Sequence, residues 1–217
     1  MFLRFCCLLV AIANLRTLHA ADVAFSVGDS KTNQPVADAV VSLVPLTDVV
    51  KPIESATRIE IVQQDRSFVP YVTPVRVGTE VHFPNRDKIK HHAYSNSPAK
   101  NFELPLYAGE AKAPIIFDRA GIVAVGCNIH DWMIAYVVVV DTPWFAKTGA
   151  DGKAVIPSVP AGRFRAEVWQ PRLKPGSTVT RDITVADSAG APIAFVLELE
   201  KDKRIKRGLD VKGGGYK

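Results

Sequence analysis

Beyond its first twenty residues the chain has one cysteine, Cys127. The other two, Cys6 and Cys7, sit in an apolar N-terminal leader. A single cysteine excludes an intrachain disulfide framework. Methionine is as scarce: Met1 and Met133 are the two present, which argues against the Met-rich tracts of a metal-handing carrier. No segment keeps helical periodicity beyond two turns, so a helical bundle is excluded. No stretch after the leader approaches the roughly 20 apolar residues that cross a bilayer. There is no phosphate loop, no convincing Ser-His-Asp arrangement and no carboxylate pair in a recognisable setting, and the chain reads as not an enzyme.

The leader has its own grammar. Met1 to Arg4 carries one positive charge, Phe5 to Ala13 is uncharged and apolar, and Leu18-His19-Ala20 offers a small residue at the cut. This predicts a signal peptide over residues 1–20, cleaved near Ala20-Ala21, and an exported, periplasmic or otherwise extracytoplasmic protein. An uncleaved anchor is the alternative. The leader holds Arg4 and Arg16, and residues 201–217 hold seven basic and two acidic side chains. Of the chain's +5, the leader therefore supplies +2 and the tail +5, leaving −2 for the body. A fold of that charge gives no reason to bind nucleic acid. The tail, with Gly213-Gly214-Gly215, reads as a disordered, solvated end, with contact to an anionic surface or an acidic partner as the alternative.

What is abundant is short, alternating, β-branched sequence. The 217 residues allow one large or two small domains, and the 47% apolar content fits a folded chain. Val23–Val27 and Ala39–Val44 read as strands. Further candidates are Arg58–Val62, Phe68–Tyr71, Glu80–Phe83, His92–Ser95, Phe102–Leu106, Pro114–Phe117, Ile122–Cys127 and Ile134–Asp141. Gly78, Pro84-Asn85, Ser97-Pro98, Gly109 and Gly121 punctuate them. About eight such strands predict an all-β sandwich of Greek-key type. After Pro143, Phe164, Ala166 and Val168 alternate with Arg163, Arg165 and Glu167, so that one face is buried and the other wet. Thr180–Val185 and Ile193–Leu199 supply two more strands. Thr47–Thr57 reads as a connector.

Between two β-rich runs lies Cys127-Asn128-Ile129-His130-Asp131-Trp132-Met133, read as a tight loop. Thiol, imidazole and thioether at C-x-x-H-x-x-M spacing are soft or borderline donors, the set that suits copper. Three residues of one loop cannot supply two imidazoles, so a second must come from an adjacent strand. His91 is the candidate and His92 its competitor. Two His, one Cys and a weak axial Met make a blue-copper electron-transfer set. The candidate ligands are His91, Cys127, His130 and Met133. Met133 as core packing and Cys127 as a buried inert thiol are the bland alternatives. His82 lies between Val81 and Phe83, faces the other way, and reads as structural. Ile129 and Trp132 flank His130 as an apolar patch, or Trp132 is a core anchor.

Residues 58–141 resemble a cupredoxin. Val81-His82-Phe83-Pro84-Asn85-Arg86-Asp87, with His91 four residues on, is similar to the first-ligand strand of plastocyanin and pseudoazurin, and Cys127-x-x-His130-x-x-Met133 has the short spacing of amicyanin. The longer string resembles exported bacterial cupredoxin-domain proteins often labelled methylamine utilization proteins, a label that implies no role in methylamine oxidation. Residues 22–50 and 143–200 resemble the carboxypeptidase regulatory-like (transthyretin-like) sandwich, through Pro35–Val41, Asp151–Ile156 and Val159–Phe164. The resemblances imply a Greek-key cupredoxin sandwich inserted in or packed on a second, Ig/transthyretin-like sandwich. They also imply one type 1 copper ion and a redox protein partner, a cytochrome or an oxidoreductase. One departure stands out: His92 occupies the place where cupredoxins commonly have an Asn that ties the ligand loops together. Two other readings use the same residues: a copper carrier or store, and a structural binding module with a stabilising metal.

Overall fold

The computed structural model describes residues 20–48, 58–111, 113–186, 188 and 190–202. The expected leader apart from Ala20, the tail beyond residue 202, and residues 49–57 of the expected connector lie outside them. Every regular element among the described residues is a β-strand. The chain opens with β1 (Ala20–Asp29) and β2 (Val40–Pro45). Ten strands follow: β3 (Ile59–Glu60), β4 (Val62–Gln64), β5 (Ser67–Val69), β6 (Val72–Arg76), β7 (Thr79–His82), β8 (His91–Ser97), β9 (Lys100–Tyr107), β10 (Ile115–Phe117), β11 (Gly121–Cys127) and β12 (His130–Val140). The last five are β13 (Phe145–Lys147), β14 (Lys153–Pro160), β15 (Gly162–Trp169), β16 (Val179–Val185) and β17 (Ile193–Leu197).

These strands build two sandwiches. In the first, a five-stranded sheet ordered β6-β12-β11-β8-β9 packs on a three-stranded sheet ordered β10-β7-β3. Its core holds Phe83 and Phe117 from one side against Val123, Val125 and Val137 from the other. This is the expected Greek-key, cupredoxin-like sandwich. The second joins the sheets β14-β1-β17 and β13-β2-β15-β16 around Phe25, Leu43, Ile156, Phe164 and Leu197. The alternation on β15 holds: Phe164, Ala166 and Val168 are buried, while Arg163 and Arg165 are exposed.

The two cores meet along β12. Its odd row (Met133, Ala135, Val137, Val139) fills the first core. Its even row turns to a seam, where Val138 and Val140 pack on Val40 and Val72. At that seam the Tyr136 ring lies 5.7 Å from Tyr71 and 5.4 Å from Trp169. Lys147 crosses it as well, donating to the Val72 carbonyl at 2.8 Å and pairing with Asp38 at 3.1 Å.

Some boundaries differ from expectation. Residues 58–62 give two short strands, and β5 stops before Pro70. β6 was not anticipated, because Pro74 sits in its middle. It lies at a sheet edge, where a missing N–H is tolerated. β13 has only three residues, too few for alternation to show.

One glycine is fixed by close approach. Gly152 has φ +70°, and a Cβ there would lie 2.6 Å from the Val27 carbonyl oxygen. Gly152→Ala therefore lowers stability by about 1–3 kcal/mol, the usual cost of a left-handed non-glycine residue. An unchanged denaturation midpoint would contradict this.

Candidate metal centre

The site begins with the β11–β12 hairpin. The expected loop from Cys127 to Met133 is shorter than read: only Asn128 and Ile129 lie outside strands, and Cys127 pairs directly with His130. A register irregularity between Gly126 and Cys127 lets the sulfur turn into the core, where Cys127 is 4% exposed. His130 is half-buried on the opposite strand. Met133, three residues along β12, is buried in the same apolar cluster as Cys127.

The second imidazole arrives on β8. His91 is fully buried, with Nδ1 4.0 Å from the Cys127 sulfur; His130 Nδ1 lies 3.7 Å from the same sulfur. The two imidazole rings stand 4.9 Å apart. The ligand atoms of His91, Cys127 and His130 all lie within 4.8 Å of one another. Two imidazole nitrogens aimed at one buried thiol, with a thioether in the same core, are a donor set that fits a type 1 copper ion.

His92 does not join them. Strand alternation turns it to the other face of β8, where Nε2 bonds Glu103 at 2.8 Å and the ring lies 5.4 Å from Tyr94. Its buried Nδ1 lacks a hydrogen-bond partner. The group formed with Cys127 and His130 contains His91 and not His92. His82 is half-buried on β7, and its carbonyl accepts the Ile61 N–H at 2.9 Å. It stands apart from the ligand group, as expected.

The loop before β8 carries a residue whose role the sequence reading missed. Asn85 knits that loop: its side chain donates to the Ile89 and Tyr107 carbonyls and accepts the Asp87 N–H. Asp87 is thereby held with Oδ2 2.7 Å from His91 Nε2. As a carboxylate it accepts the Nε2–H, which leaves the Nδ1 lone pair facing the Cys127 sulfur, the tautomer a metal needs. Burial pushes the Asp87 carboxyl up. The hydrogen bonds from the Arg66 N–H, the His91 ring and the Asp65 N–H outweigh it and hold the group below its ordinary value. A usable signal was present: a ligating His nearly always gives its second N–H to a neighbouring acceptor, and Asp87 lies four residues upstream.

Tyr107, at the end of β9, closes the site from another side. Its hydroxyl meets the Gln63 amide and the Phe83 carbonyl. Burial pushes its pKa up to about 12, and the Gln63 hydrogen bond works against that rise. It therefore stays a neutral phenol. At the outer edge, Trp132 is half-buried with its ring 5.0 Å from His130, and Ile129 is 48% exposed. Trp132 packs against the first core while its indole N–H donates to the Arg66 carbonyl at 3.2 Å.

No family model matches the chain, and no curated protein matches it. Among solved structures, it is similar to a copper-containing nitrite reductase from Thermus scotoductus SA-01, at 24% identity and a TM-score of 0.37, over 45% of this chain and 25% of that one. It is similar to a mutant of amicyanin in its Cu(I) form, at 21% identity and a TM-score of 0.36, over 38% of this chain and 82% of that one. It is also similar to a purple cupredoxin from Nitrosopumilus maritimus, at 23% identity and a TM-score of 0.33, over 40% of this chain and 100% of that one. The chain thus spans a quarter of the reductase, and each likeness covers less than half of the chain.

Proposed function

We propose that the chain is an exported one-electron carrier that holds one type 1 copper ion through His91, Cys127, His130 and Met133. It fits the exported cupredoxin-domain class that its sequence resembles. The observation that carries this reading is the convergence of two imidazole Nδ1 atoms on one buried thiol. Copper supplies the chemistry, since it changes oxidation state by one electron. The chain's residues do the rest. Asp87 fixes the His91 tautomer, the apolar core around Cys127 and Met133 excludes water, and paired strands hold the donors against rearrangement. Small rearrangement between oxidation states favours fast exchange. Four protein ligands would leave no open coordination position for a substrate, which favours a carrier over a catalyst.

The test is the visible and EPR spectrum of the Cu(II)-loaded protein. Intense thiolate-to-copper absorption with narrow copper hyperfine splitting is expected. A colourless Cu(II) protein would rule out Cys127 as a short equatorial ligand, and with it this function.

The half-buried His130 edge, beside exposed Ile129, is the proposed exit for the electron to a redox protein such as a cytochrome or oxidoreductase. Ile129→Glu should slow exchange with such a partner about tenfold, the loss of one anchor of ~1.4 kcal/mol, and leave the copper spectrum unchanged. An unchanged exchange rate would move the docking face elsewhere.

A further inference from the structure

Two histidines on different strands must be held at a fixed separation, and their rings stand 4.9 Å apart. Both are tied to one turn, the two-residue hairpin Asp65-Arg66 between β4 and β5. Both turn residues have positive φ, 53° and 55°, as a tight hairpin of this twist requires. Asp suits that conformation, but Arg does not.

The turn is held from outside. Asp87 accepts the Asp65 N–H through Oδ1 at 2.8 Å and the Arg66 N–H through Oδ2 at 2.9 Å. That same Oδ2 accepts His91 Nε2–H at 2.7 Å. At the other end of Arg66, the carbonyl accepts the Trp132 indole N–H at 3.2 Å, and the Trp132 ring lies against His130 at 5.0 Å. A continuous chain thus runs from His91 through Asp87, the backbone of Arg66 and Trp132 to His130.

We propose that the Asp65-Arg66 turn is a brace that sets the spacing and orientation of the two histidines, with Asp87 and Trp132 as its positioning residues. Each reaches the turn by a different backbone group of Arg66, so a change at one end is felt at the other. The proposal rests on the metal reading above, and its test separates the two.

The experiment is a double-mutant cycle of Asp87→Asn and Trp132→Phe, read as the rate of copper release to a chelator. Trp132→Phe keeps an aromatic ring at that position and removes the indole N–H with part of the ring, and the far-UV spectrum and denaturation midpoint of the variant check that the fold is kept. Each single change should speed release, Asp87→Asn by about 10–100-fold, as for other outer partners of a metal ligand. The double variant should fall short of the product of the single effects by at least about threefold, because both break the same brace. A product obeyed within about twofold, the additivity of independent sites, would overturn the proposal.

Imidazole nitrogen NMR of the metal-free protein is the second arm. Trp132→Phe should move the His91 resonances as well as those of His130. A shift confined to His130 would also overturn the brace. If the wild-type protein lacks the thiolate absorption, the copper reading falls, and the metal-free spectra alone decide the brace.

Discussion

Replacing Cys127 with serine abolishes the visible absorption of the Cu(II)-loaded protein and weakens copper binding by more than about 100-fold, the upper end of what losing an outer partner of a ligand costs. The reason is chemical rather than architectural. Serine is close to cysteine in size, and the side chain sits 4% exposed in a packed cluster, so the sandwich has little cause to rearrange. What disappears is the one soft, deprotonatable donor between two imidazole nitrogens at 3.7 and 4.0 Å. A hydroxyl stays protonated and hard, and a His/His site without thiolate no longer discriminates for copper in the same way. Isothermal titration beside the visible spectrum checks both parts. Retention of the absorption in the serine variant would mean that it never arose from Cys127.

The second large effect is remote from the metal. Phe164→Ala should destabilise the protein by about 3–5 kcal/mol, as for other large aromatic truncations in packed cores. Phe164 is fully buried on β15 and meets Trp144 edge-on at 5.5 Å. The copper spectrum should disappear in the same denaturation transition as the rest of the fold, at the lowered midpoint. That coupling follows from the seam: Val138 and Val140 belong to the strand that bears His130, and they pack on Val40 of the second sandwich. Two separate transitions, with the copper signal surviving the first, would show that the sandwiches fold independently and that the second merely accompanies the first.

The site was more legible than its supports. Cys127 and His130, with one member of the pair His91-His92, stand out because ligand chemistry constrains residue type and spacing together. Alternation gave β15 for the same kind of reason, since a half-buried strand writes its burial into every second residue. Where the physics is not periodic, reading failed. β6 hid behind Pro74, acceptable only because that strand lies at an edge, a tertiary fact. The Cys127–Met133 segment looked like a loop because a hairpin turn of two residues leaves no compositional mark beyond Asn128. The separation of His91 from His92 required knowing which face of β8 looks inward. Arg66 offered no signal, because its contribution is made by backbone atoms that every residue shares.

Because β12 begins at His130, its length is locked on both faces. A residue inserted beyond His130 would shift every later side chain to the opposite face, sending the row that starts at Met133 toward the seam and the row containing Tyr136 toward the first core. Lengthening the ligand segment, a simple way for a metal site to explore new geometries, is therefore open only at Asn128 and Ile129. Evolutionary drift at this site must travel mainly by exchange of side chains around a fixed frame, and laboratory grafting of longer loops should succeed only when the extra residues enter at that turn.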